Sequence, residues 1–434
     1  MSAGAAKSIV LVGAAEDVWP VAALLAPALR ARAAVTVVEH GSAEEAVAVV
    51  PVADPYFALA GIAVSDLAKA GADFALGLAL EGFAPDGRRI IVAPSGDLPM
   101  IGGLPFHHIL RRVAEEAKAL DRFAELYEGF RFCARAAKAG AMALPEDAPQ
   151  SPLAMLGPLT AIERTALAQL LKSKSDLCSI DVLRCETVSL EEVAGSGQHK
   201  LTADGTPIGA DLVIDLRART KTGGDRNIPA LSSGLQATAH YEAGVLPTYR
   251  APDARSTGDA AAYANEAPWS GNLLRMGRAS ARLGPLFAAD ARLLLLQAQH
   301  LLETLPATPD FAAEARRFNQ LHWRSVERLS EWVAVPTSLG AEAQQPVPEG
   351  LALRVEQFRS RGRMPSLDGD VLDRQTWIDL LLAFGVIPQR HDRRADAFDP
   401  RQLDHALGTV RGQLEQALKA MPDSARFRHR FASS

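Results

Sequence analysis

Gly13 and Glu39 have the spacing of a dinucleotide site. Gly13 ends the apolar run Ile9–Val12, and Glu39 ends the β-branched run Val35–Val38. In a nucleotide-binding βαβ unit the first strand enters a G-x-G-x-x-G turn. The pyrophosphate rests on the helix start, and an acid about 20 residues further on takes a ribose hydroxyl. Here the second and third glycine positions hold Ala15 and Val18. A Cβ at 15 stands where a phosphate would touch, and Val18 adds a branched side chain at the helix–strand contact. Glu16 and Asp17 bring two carboxylates to the helix start. They complement the helix dipole themselves and are expected to repel a diphosphate. One unit charge pair at about 4 Å is worth roughly 4 kcal/mol at an effective dielectric near 20.

Other residues capable of chemistry are scattered. Cys133, Cys178 and Cys185 form no C-x-x-C pair and no Cys/His ligand spacing, which argues against a zinc site or a disulfide framework. His107 and His108 are adjacent, so on a helix they point about 100° apart and do not converge on one ion. The basic run Arg390–Arg394 is short, has Asp396 beside it, and reads as a solvated loop. A net charge of −5 gives no general pull toward nucleic acid or anionic membrane. The stretch Ala46–Val64 is poor in charge, but Pro51, Asp54 and Pro55 disqualify it as a membrane span. The first residues lack a signal-peptide layout, and a reducing cytoplasm is the expected setting.

The elements that must hold these residues follow from periodicity. Ile9–Val12 and Val35–Val38 read as buried parallel strands, with a helix over Glu16–Arg32 between them. Pro20 suits a first turn, and Pro27 should end or break that helix. Ala46–Ala70 reads as loop and a short helix. Phe74–Phe83 and Arg89–Ala93 read as strands, Pro105–Ala124 and Thr160–Lys174 as helices, and Leu144–Leu159 as a surface loop. Leu201–Leu216 reads as a hairpin turning at Asp204-Gly205, with Ala210–Asp215 as the return strand. Asp399-Pro400 is a capped helix start. The stripe Leu403, Leu407, Val410, Leu414, Leu418 and Met421 is a packed helix face.

Several segments, in this order, resemble the flavin-dependent tryptophan halogenase family. They are Ile9–Leu25 with Trp19, Gly61-Ile62 leading to Phe74–Leu78, and Ile208–Asp215. Trp269–Ala279 follows, then Gly284-Pro285-Leu286, the helix around Asn319, Glu349–Trp377, and Met421-Pro422 with Phe427. The resemblance implies an α/β chain of flavin monooxygenase-like fold. Its Rossmann-type βαβ FAD domain carries an inserted β-rich substrate region, and a helical C-terminal region follows. The expected division is 1–335 for the core and 336–434 for the helical part packed on it. The resemblance also implies FAD as cofactor, with Gly13, Trp19, Glu39, Asp215 and Gly277 as the positions that would touch it. Family members receive reduced flavin from a partner reductase. They pass hypohalous acid along a tunnel to a lysine and a glutamate.

Those two side chains are absent here. The lysine of a K-L-G-I segment is Ala75, and the glutamate that follows Pro-Leu is Phe287. A methyl group cannot capture an electrophilic halogen, and a phenyl ring cannot act as a base. No W-x-W-x-I-P segment is found, and Ala46–Pro51 replaces a glycine-rich stretch. The expectation is a halogenase-like protein that has lost halogenation and tight FAD binding and serves as a non-catalytic binding or accessory protein. Its partner would be an active relative or another protein, a small-molecule ligand is compatible, and a homodimer is left open. The alternative is an active FAD-dependent monooxygenase of altered chemistry on an aromatic or peptide substrate. His107, His108 and His240 would then be the candidates for proton handling.

Overall fold

The computed structural model describes residues 8–29, 32–43, 46–84, 86–94, 96, 98–148, 151–175, 180–193, 197–228, 231, 238–241, 246–251, 262–305, 311–340 and 346–432. Cys178 lies outside them.

The chain opens on β1 (Ser8–Gly13), α1 (Ala15–Leu29) and β2 (Ala34–Glu39), in right register with one another: Ile9 faces Val35, and Gly13 faces Glu39. β1 is central because it is apolar on both faces. Ile9, Val10, Leu11 and Val12 are all buried, as expected of a parallel strand covered on both sides. Each such side chain contributes roughly 1.5–3 kcal/mol when fully buried. On its other edge β1 pairs in parallel with the strand Leu212–Asp215, which pairs in parallel with Leu273–Arg275. Beyond β2 lies the edge strand Ile180–Arg184. The short strand Trp269–Ser270 closes the other side.

α1 contains two prolines. Pro20 is its sixth residue, deeper than the first turn, and the helix continues two residues past Pro27. A proline has no N–H, so the carbonyl four residues earlier, that of Glu16, lacks its helical donor. Arg164 Nη2 supplies one from outside the helix at 3.0 Å. This explains why a proline is tolerated there.

A second, antiparallel sheet has Leu159–Glu163 at its centre, flanked by Val47–Pro51 and Asp73–Ala75. Two expectations fail here. Thr160–Glu163 is strand, and the helix begins only at Arg164. Ala46–Ala70 contains the strand Val47–Pro51 as well as two short helices. Pairing explains both: Leu159–Glu163 is held between Val47–Pro51 and Asp73–Ala75, so that Leu159, Ala161 and Glu163 share one face while Thr160 and Ile162 share the other.

The expected hairpin also differs. Asp204 and Gly205 do form the turn, with positive φ at both. Its return strand is Thr206–Ile208, while Leu212–Asp215 belongs to the main sheet beside β1. Pro105–Ala124 breaks into the helix Phe106–Glu116 and a short turn, with Lys118 in the left-handed region. The C-terminal helix Pro400–Ala420 starts as expected, with Asp399 Oδ1 accepting the Arg401 and Gln402 amides. Leu403, Leu407 and Leu414 are buried along its stripe, and Val410, Leu418 and Met421 pack partly buried. No helix among the described residues is long and apolar enough to cross a membrane.

Candidate functional site

The register of the main sheet gathers the sequence-predicted positions at one edge. Gly13 stands opposite Glu39, Val12 opposite Asp215, and Asp215 opposite Arg275, two residues before Gly277. Neighbouring strands lie about 4.8 Å apart, so Gly13, Glu39 and Asp215 form a row at the carboxyl ends of parallel strands. Ligands of open α/β sheets bind in this kind of crevice.

Each position is already engaged. A Cβ on Gly13 would lie 3.1 Å from the backbone carbon of Leu216, just past the neighbouring strand, a tight approach that favours glycine there. The carboxylate of Glu39 holds three donors. Its Oε1 accepts from the indole Nε1 of Trp19 at 2.9 Å and from Lys172 Nζ at 3.2 Å. Its Oε2 accepts from Arg184 Nε at 2.9 Å. Burial raises the pKa of Glu39, but the hydrogen bonds from Trp19, Arg184 and Lys172 outweigh it and hold the group below the usual carboxylate value. Lys172 also sits over the Trp19 ring, 5.0 Å from its centroid. Arg184 is largely exposed, so its contact is the weakest of the three. Trp19 is buried and contributes the most fixed donor.

Asp215 is clamped in the same manner. Arg217 Nε and Nη2 reach its two oxygens at 2.8 and 3.0 Å, a bidentate fork. Gly277 takes a positive φ of 54°, and its N–H donates to Gln297 Oε1 at 2.6 Å. Gln297 Nε2 in turn donates to Ser280 Oγ and to His322 Nδ1, both at 2.8 Å. His322 therefore carries its proton on Nε2 and donates to the Asn265 carbonyl at 3.1 Å. Burial pushes its pKa down to about 4 and keeps it neutral.

At the start of α1 the two carboxylates behave differently from each other. Asp17 is buried, and its Oδ1 meets Arg164 Nη2 at 2.6 Å. Its charge is spent on a partner under the helix. The expected repulsion of a diphosphate therefore rests on Glu16 alone.

Ala75 and Phe287 occupy two linked regions. Ala75 lines a cavity of about 790 Å³ above the antiparallel sheet. Phe287 is buried in a left-handed conformation (φ 61°, ψ 20°), and the next residue, Ala288, is left-handed too. Non-glycine residues pay about 1–2 kcal/mol for this. Packing holds Phe287 there. Its ring stacks on Trp332 with centroids 4.4 Å apart and planes within 5°. Tyr249 meets it edge-on at 5.9 Å. The Tyr249 hydroxyl lies 3.0 Å from that of Tyr241, which lines the cavity. A continuous row of rings thus runs from the cavity wall to Trp332.

The remaining histidines serve structure. The rings of His107 and His108 do approach, with centroids 4.3 Å apart, contrary to the divergence expected from helix geometry. Their nitrogens are used by backbone, however. His107 Nε2 donates to the Gly362 carbonyl at 2.7 Å, and His108 Nδ1 accepts the Asp392 amide at 3.2 Å. Burial pushes their pKa values down to about 3 and about 4. His240 is exposed, with a ring nitrogen 3.4 Å from Arg250. No group of three metal-ligating side chains occurs among the described residues.

A family model for tryptophan halogenases matches residues 8–251 and 255–400. The chain belongs to the tryptophan halogenase family. A search of curated proteins finds no match. Among solved structures, the chain is similar to a flavin-dependent halogenase from Brevundimonas sp. BAL3, at 19% identity and TM-score 0.84, covering 98% of this chain and 99% of that one. It is similar to a flavin-dependent halogenase from Xanthomonas campestris at 19% identity and TM-score 0.81, covering 98% of both. A tryptophan halogenase from Shewanella frigidimarina aligns at 12% identity and TM-score 0.69, over 100% and 98%. These likenesses establish the flavin halogenase fold, a mixed α/β architecture with a helical C-terminal part.

FAD is the cofactor of the tryptophan halogenase family. The residues at this crevice do not fit it well. The acid that would take the ribose is held by Trp19, Lys172 and Arg184, and the glycine turn carries Ala15 and Val18. Sequence reasoning missed these cations. Lys172 and Arg184 lie 133 and 145 residues from Glu39, and no local pattern marks them. The same reasoning also missed Arg217 on Asp215, although a basic residue two positions after a strand-ending acid is a readable signal.

Proposed function

We propose that this tryptophan halogenase-family protein has lost halogenation and tight FAD binding and acts as a non-catalytic binding protein. The observation that carries the reading is the closed cluster on Glu39. A carboxylate has about four acceptor sites, and this one already accepts from an indole, an ammonium and a guanidinium, which leaves one for a ribose hydroxyl that must compete with two cations. Ala75 and Phe287 support it independently, since neither can hold a halogen or move a proton. The aromatic stack on Phe287 fills the position of the family's glutamate with packed carbon. A bound cofactor raises the melting temperature by mass action. The test is therefore a melting curve with and without FAD at tens of micromolar, and the expected result is no shift. A rise of several degrees would overturn the reading.

A second reading, an active FAD-dependent monooxygenase, draws on Asp17. Its pairing with Arg164 removes one of the two charges expected to repel a diphosphate. A purified protein that is yellow, with flavin absorption, would favour it.

A further inference from the structure

The cavity that Ala75 lines has a definite floor. Strand alternation puts Leu159, Ala161 and Glu163 on one face of the antiparallel sheet. The register puts Ala75 opposite Leu159, Asp73 opposite Ala161, and Val47 opposite Glu163. All six line the cavity. The floor is low at Ala75 and Ala161, which rise no further than a methyl group.

Its two ends differ in charge. At one end Glu163 is exposed, and its carboxylate makes no hydrogen bond or ion pair among the described residues. Asp73, beside it, is already paired with Arg428. The other end is formed by Arg89 and Tyr241, from the elements that adjoin the strand after Ala75. Arg89 uses Nε on Glu81 at 3.3 Å and Nη2 on Thr248 Oγ1 at 3.2 Å, which leaves Nη1 with no such contact among the described residues. Lys138, on the wall, is paired with Glu128 at 2.7 Å.

The span decides the size of the occupant. Leu159 to Glu163 is four strand steps, about 14 Å at 3.4 Å per residue. A single amino acid extends about 3.5 Å along the chain, well short of this floor. Four extended residues reach roughly 14 Å. We propose that this cavity binds short apolar peptides of about four residues with both termini free, the ammonium group at Glu163 and the carboxylate at Arg89. This rests on the reading of the protein as a binding protein and adds the class of ligand.

The test is calorimetric titration of the full chain, without added flavin, with a tetrapeptide of alanine and leucine. Its N-acetylated form, its C-amidated form and free tryptophan are the comparisons. The expected result is that the free tetrapeptide binds, that acetylation weakens it at least tenfold, and that Glu163→Gln reduces this discrimination to less than twofold. Arg89→Leu should do the same for amidation. Glu163 is exposed at a strand end, so its variant folds, and circular dichroism checks that. No heat at millimolar peptide would overturn the proposal, as would equal affinity for the free and acetylated forms, or tighter binding of tryptophan than of the tetrapeptide. The FAD melting test is separate, so failure of one is distinguishable from failure of the other.

Discussion

Replacing Phe287 by glycine and by alanine gives opposite signs from the same pair of changes elsewhere. Both remove a buried ring that stacks on Trp332, and both lose about 3–5 kcal/mol from transfer and cavity terms. They differ in backbone. Alanine keeps the left-handed cost of about 1–2 kcal/mol, whereas glycine sheds it. Glycine gives back about 0.5–1 kcal/mol through the flexibility of the unfolded chain. The net favours Phe287→Gly over Phe287→Ala by about 0.5–1 kcal/mol. Phe318 is the control, since it is fully buried in the regular helix Ala312–Leu339. There glycine should fall below alanine by about 0.5–1 kcal/mol. Urea unfolding followed by circular dichroism measures all four variants. Alanine equal to or above glycine at 287, with the usual order at 318, would show that the turn is not left-handed in the folded protein.

Three further outcomes follow from the crevice and the core. Arg164→Ala leaves Asp17 buried without its charge partner and strips the donor from the Glu16 carbonyl, so unfolding free energy should drop by about 3–5 kcal/mol. An Arg164→Ala protein as stable as the parent in urea would contradict that pairing. Trp19→Phe keeps an aromatic body but removes the indole donor to the Glu39 carboxylate, a bond worth about 1.5–3 kcal/mol. It should also raise the Glu39 pKa, readable by carboxylate NMR, and an unchanged pKa would refute the contact. His107, His108 and His322 are held neutral, with folded pKa values of about 3, 4 and 4 against 6.5 unfolded. Their folded values are lowered, so the stability is present above pH 6.5 and is lost as pH falls toward 4. His322→Gln should flatten that limb of the melting-temperature profile, and a profile as steep as the parent's would count against a neutral His322.

Two strands of the main sheet were legible as short apolar, β-branched runs, whereas Ile180–Arg184 and Leu273–Arg275 were not, and Leu212–Asp215 reads as a hairpin strand until its pairing with β1 is seen. Ile9–Val12 and Val35–Val38 allow no other placement, and the structure extends them only by one or two residues. The capped start at Asp399 and the stripe from Leu403 were legible for local reasons, a side-chain cap and a helical period. The misreadings fall where tertiary contacts override local signals. Leu159–Glu163 carries residues compatible with helix and becomes strand because two neighbours pair with it. Pro20 sits mid-helix because Arg164, 144 positions away, supplies the missing donor. At the site, the spacing of Gly13 and Glu39 was readable. Their engagement was not, since two of the three donors on Glu39, Lys172 and Arg184, come from a later helix and from the edge strand of the sheet. The row of rings from Tyr241 to Trp332 is equally invisible, as it joins residues spread over 91 positions.

Loss of FAD binding at the Glu39 crevice is directly measurable. Equilibrium titration of the purified full-length chain with FAD, followed by quenching of flavin fluorescence up to tens of micromolar and by melting temperature, measures this directly. The prediction is no saturable quenching and an unchanged melting temperature. Saturable binding in the micromolar range with a rise of several degrees would contradict it.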